Sequence, residues 1–109
     1  MECNVGDLII SKPLVILGKS NPYCIIVREI REDDELVIKH SLPMNIQSLH
    51  AKYAIEKNNF SIKKIRIFEV LEFNGIVSWL LEDDIKKISD LKEVTNYYNS
   101  RYLLKKSEK

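Results

Sequence analysis

The chain has no apolar run near the roughly 20 residues a membrane span needs, so no bilayer-crossing helix is predicted. Its first residues, Met1-Glu2-Cys3-Asn4, lack the basic and apolar regions of a secretory leader, which points to a cytoplasmic protein. There is almost no charge imbalance. Lys and Arg number 17 against 16 Asp and Glu, a net charge of +1, which excludes a global field steering the protein to nucleic acid or anionic lipid. Cysteine is scarce. Cys3 and Cys24 are read as free thiols, with Cys24 in the core because it lies inside the apolar run YCIIV. Alanine occurs only at positions 51 and 54, while Ile, Lys and Asn are abundant. That bias is expected of an AT-rich genome, such as a low-GC bacterium or its phage.

Chemistry is thin as well. Cys3, Cys24, His40 and His50 are the only soft metal ligands, and no two have the spacing of a preformed zinc site. The same four are the only candidates for Cys/His nucleophilic catalysis, with no orienting group or oxyanion loop legible beside them. Gly18-Lys19-Ser20 resembles the end of a phosphate loop. The glycine needed five positions earlier is Pro13, however, and Asn21-Pro22 blocks the helix that should follow. No catalytic residue, metal or cofactor is therefore assigned, and the protein is expected to bind partners and not to be an enzyme.

What is present is a single domain of 109 residues, 45% apolar and 30% charged, able to bury about 65% of its unfolded surface. Its clearest signal is Asn74-Gly75 between two apolar runs, which predicts a hairpin with a two-residue turn. That register places Val70 opposite Trp79 and Phe68 opposite Leu81. One face then carries Phe68, Val70, Val77, Trp79 and Leu81. The other carries Ile67, Leu71, Phe73, Ile76 and Leu80, too apolar to be left in water.

Further strands are predicted at 8–11, 14–17 with Pro13 at an edge or bulge, 23–31 and 36–40, the last two joined by the acidic turn Glu32-Asp33-Asp34-Glu35. Asn45 is a good N-cap for a helix over 46–57, within an insertion spanning about 45–58, although Ser48 stands where a capping box would have Glu or Gln. Glu82-Asp83-Asp84 is read as a 3₁₀ turn. Asp90 and Glu93 have capping-box spacing for a terminal helix over about 90–105, with Leu91, Val94, Tyr98 and Tyr102 as its apolar stripe.

The opening VGDLIIS and the closing NGIVSWLLEDDI resemble the first strand and the last hairpin of small SH3-like domains, including accessory proteins of phages. The resemblance covers about two thirds of the chain. It implies a mainly β, α+β fold: a five-stranded SH3-like barrel over about 5–88 with the helical insertion and the C-terminal helix appended.

Two functions of different kind follow. The first is a protein-binding module, a phage or mobile-element accessory protein that occludes a host or defence protein, or a self-associating one. Its candidate interface is Tyr97, Arg101 and Leu104 on a second stripe of the terminal helix, with Leu71, Phe73 and Ile76 of the hairpin. The second is a nucleic-acid-binding regulator using Lys63, Lys64, Arg66, Lys86 and Lys87, with tyrosines of the terminal helix for stacking. The two acidic clusters are ordinary solvated turns on one reading and a docking rim for a basic partner on the other.

Overall fold

Ser11 decides the first departure from a purely β chain. Residues 3–88 are described in the computed structural model, in which β1 (Leu8–Ser11) runs directly into a short helix, α1 (Lys12–Ile16), where a second strand was expected. The Ser11 hydroxyl accepts from the Leu14 amide at 3.3 Å, and Pro13 falls in the first turn, where its missing N–H is not needed. The proline that argued for a strand edge instead starts a helix.

Asp34 produces the second departure. Its carboxylate accepts from the amides of Leu36 and Val37, so the residues read as a returning strand form α2 (Glu35–Ser41). The run Leu36-Val37-Ile38 has no clear period of its own, and the cap selects the helix. Lys39 and Glu35 add an i,i+4 pair at 2.7 Å.

The 46–57 helix is present, as a 3₁₀ turn (Ile46–Ser48) continuing into α3 (Leu49–Lys57). Asn45 caps it, accepting from the Ser48 amide at 3.1 Å. At the far end Asn59 has φ 57°, the Asn59 amide reaches the Glu56 carbonyl, and the Phe60 amide reaches the Ile55 carbonyl. This is a Schellman closure without glycine, completed by Phe60 packing into the same core as Ile55.

With β2 (Tyr23–Ile30), β3 (Ile67–Glu72), β4 (Val77–Leu81) and β5 (Ile85–Lys87), the chain forms a five-stranded antiparallel open sheet in the order β4-β3-β2-β1-β5. The expected 3₁₀ turn at Glu82–Asp84 joins β4 to β5. The fold is a small α+β unit with three helices among the described residues, none long and apolar enough to cross a membrane. The predicted helix at about 90–105 lies outside the described residues.

The β3–β4 hairpin differs from expectation by one residue. Its ladder pairs Phe68 with Leu80, Glu69 with Trp79 and Leu71 with Val77. The Glu72 amide bonds the Ile76 carbonyl and the Gly75 amide bonds the Glu72 carbonyl, leaving a three-residue loop with Gly75 at φ 88°. Asn74-Gly75 thus serves a type I turn closed by a glycine bulge, not the tighter two-residue turn. A shift of one residue moves each side chain relative to its partner's face. Trp79 is buried as expected, but away from Phe68 and Val70.

Two cores result. Ile9, Cys24, Ile26, Phe68, Val70 and Leu80 pack on one face with Leu14 of α1 and Ile85. On the other, Ile30, Ile67 and Trp79 lie beneath Ile38 of α2, Ala51 and Ile55 of α3, and Leu42 and Ile62. A bulge between Ile26 and Arg28 lets one strand serve both. It reverses the expected alternation, leaving Ile26 in the first core and placing Arg28 against Glu69 near the second. Glu69 also accepts from the Trp79 indole at 3.2 Å, satisfying the polar atom of the largest buried side chain.

Two substitutions test this arrangement. Gly75→Val should destabilise by about 1–3 kcal/mol through backbone strain alone, since nothing lies within 4 Å of an added Cβ. Ser48→Ala should cost a further ~1–3 kcal/mol class of loss by orphaning the buried Trp79 amide. Urea unfolding of each variant measures both.

Candidate functional site

Helix α1, which stands where a strand was expected, and the 3₁₀ turn that opens the expected 46–57 helix combine with the hairpin tip to form a groove of about 480 Å³. One wall is Leu14, Leu17 and the loop Lys19-Ser20-Asn21. The second is Asn45, Ile46 and Gln47, and the third is Glu72, Phe73, Asn74 and Ile76. Its volume falls in the range of small ligand sites.

Each wall is held by a specific polar contact. Asn45 is fixed from three sides: its amide donates to the Val77 carbonyl at 2.9 Å, while its oxygen accepts from the Ser48 amide and from the Ser78 hydroxyl. Ser48 then accepts from the Trp79 amide at 3.0 Å. The cap of the 3₁₀ turn is therefore tied to the outer edge of β4, which places Ile46 and Gln47 beside the hairpin tip. On the opposite wall the α1 cap buries Leu14 and sends Leu17 and Lys19 to the rim.

The floor is polar. Gln47 is buried, and its side chain donates to Glu72 at 3.1 Å while accepting a long contact from the Cys24 thiol at 3.8 Å. Burial pushes the Glu72 carboxyl above its ordinary value, against a smaller opposing pull from Lys19. Burial likewise pushes the Cys24 thiol up to about 12, with the Glu72 charge adding to it. Cys24 is thus held as an uncharged thiol, poorly suited to nucleophilic attack.

The apolar walls are open to solvent. Phe73 is 62% exposed, Ile46 60% and Ile76 44%, a concentration of apolar side chains on a concave surface that isolated exposed residues do not make. Of the hairpin residues proposed as interface, Phe73 and Ile76 therefore stand together in the groove wall. Leu71 does not join them. It lies in a cross-strand row with Leu8, Ile25 and Val77. Tyr97, Arg101 and Leu104 lie outside the described residues.

The basic set is divided. Arg66 donates to Glu29 and Glu82 at 2.7 and 2.6 Å, and Lys63 lies 3.7 Å from Asp33. Lys64 is exposed, and Lys86 and Lys87 are half-buried on β5. The Arg66 bond holds the Glu29 carboxyl below its usual value.

The acidic clusters have structural work. Asp34 caps α2, and Asp33 accepts from the Ile62 amide at 2.7 Å and from the Ser61 hydroxyl. That backbone bond is the main cause of its lowered pKa. Glu82 pairs with Arg66, and Asp84 with His50 at 3.0 Å. Among the described residues no three His, Cys, Asp or Glu side chains gather as metal ligands would.

Sequence reasoning missed Leu17, Lys19, Ile46, Gln47 and Glu72 as neighbours. Gly18-Lys19-Ser20, which resembles the end of a phosphate loop, follows α1 as a turn whose Lys19 and Ser20 line one rim of the groove. No family model, curated protein or solved structure matches the chain.

Glu72 offers a direct check of the floor. A carboxyl whose pKa is raised by folding stabilises the fold in its protonated form and loses that contribution as pH rises through the folded value. Glu72→Gln keeps an acceptor for Gln47 and removes the charge, so the variant should melt higher than the parent at pH 7. The difference should shrink as pH falls below the ordinary Glu value of 4.5, as measured by thermal unfolding at pH 7 and at about pH 3.

Proposed function

We propose that this protein is a non-enzymatic protein-binding module that engages its partner through the groove at the β3–β4 tip. The observation that carries the reading is the concentration of exposed Phe73, Ile76 and Ile46 around a concave, preformed surface whose walls are pinned by caps and strand-edge bonds. Rigid apolar side chains around a cleft lose little entropy on binding and bury large area, the usual make-up of an interface centre.

The order β4-β3-β2-β1-β5, with a 3₁₀ turn before the last strand, supports reading the sheet as an SH3-like barrel in which β5 returns beside β1. Together with the AT-rich composition and small size, this reading supports a phage or mobile-element accessory protein that works in the host-cell cytoplasm by occluding a host or defence protein. Self-association is the variant in which the partner is a second copy.

Nucleic-acid binding is the second reading. Its candidate residues are Lys63, Lys64, Arg66, Lys86 and Lys87, and the pairing of Arg66 and Lys63 with carboxylates weakens a phosphate track.

Affinity capture by the full-length protein, compared with a Phe73→Ser/Ile76→Ser variant and a Lys63→Gln/Lys64→Gln variant, separates the two. A protein partner should be retained by the lysine variant, resist nuclease and salt, and be lost from the groove variant. Capture that disappears with nuclease, falls steeply with salt and follows the lysines would favour the regulator instead.

A further inference from the structure

Glu72 is the only acidic residue among the described residues that line the groove, and the apolar walls do not explain it. It is half-buried, and among the described residues no Lys, Arg or His lies within ion-pair distance of it. Gln47 donates to Oε2, whereas Oε1 has no hydrogen bond among the described residues. Lys19 on the rim acts on it only at a distance, remaining exposed to water. Holding a carboxylate partly out of water without a cation is unfavourable, and a glutamine would satisfy Gln47 equally well. The carboxylate is nevertheless set on a built floor, with its amide neighbour locked between it and Cys24.

From this charge and its apolar surround we infer that the groove receives an arginine of a partner protein, its guanidinium on Glu72 and an adjacent aliphatic or aromatic side chain against Phe73, Ile76 and Ile46. The inference rests on the protein-binding reading of this groove. Arginine fits better than lysine for two reasons. Its guanidinium is weakly hydrated, so entering a half-buried site sacrifices less solvation, and its planar fork can engage a carboxylate while its stem lies along apolar walls. The incoming cation also meets an acceptor oxygen with no competing donor among the described residues. Lys19 stays solvated on the rim, where its repulsion of the guanidinium is screened.

Selection of a phage-displayed random heptapeptide library on the immobilised full-length protein tests the inference. Enriched peptides should carry arginine next to Leu, Ile, Met or Phe. A synthetic peptide from that set should bind the Glu72→Gln variant about tenfold or more weakly, as expected for loss of a charged hydrogen bond. Replacing its arginine by citrulline should cause a similar loss, with little added by combining the two changes. Enriched peptides without a basic residue, or binding indifferent to Glu72→Gln yet abolished by Phe73→Ser/Ile76→Ser, would overturn the arginine inference and leave the groove as a docking site. Failure to enrich any peptide, or binding indifferent to the Phe73 and Ile76 changes, would overturn both.

Discussion

The bond between the Asn45–Ser48 cap and the outer edge of β4 is the constraint on which the rest of the structure depends. An edge strand leaves alternate amides and carbonyls unpaired, an invitation to aggregate unless covered. Here the Val77 carbonyl and the Trp79 amide are two of those outward groups, and side chains of a helix cap satisfy them. Asn45 simultaneously caps its own 3₁₀ turn and accepts from Ser78, so one residue fixes the turn and docks it. With the edge sealed, α3 follows in a direction that lays Ala51 and Ile55 over Trp79, and the second core closes.

The groove is a consequence of the same lock. Ile46 and Gln47 occupy the two positions between Asn45 and Ser48, and they have nowhere to go except against the hairpin tip. The protein therefore exposes apolar groups because its edge is protected by a turn that must pass there. Glu72 lies beneath that turn, opposite Cys24 in the β2–β3 ladder, which explains why two such different side chains share one polar floor. A groove wall arising in this way is held in place, since moving Ile46 would break the cap, and the cap holds β4.

Much of the hairpin and the insertion was legible because their signals are local. Asn74-Gly75, the apolar runs around it, Asn45 as a cap and the acidic 3₁₀ turn each specify a few neighbouring dihedrals. The one-residue shift was less legible, because a glycine at positive φ serves a two-residue turn and a three-residue loop alike. The two missed helices share a cause. Ser11 and Asp34 are strong caps, but each precedes an apolar run short enough to read as a strand, so a contact three residues long outweighed the pattern. Within the site, Phe73 and Ile76 could be found as exposed apolar residues at a turn. Gln47 and Glu72 could not, because they meet across 25 positions and owe their environment to the edge lock.

Amide hydrogen exchange at Trp79 tests that lock most directly. In the native protein this amide should exchange orders of magnitude more slowly than an open edge-strand amide, and substituting Asn45 by Ala should restore fast exchange there while the amides bonded within the β2–β3 ladder remain protected. Fast exchange at Trp79 in the unaltered protein would contradict the account, because the cap would then not hold the strand edge and the groove would have no fixed wall.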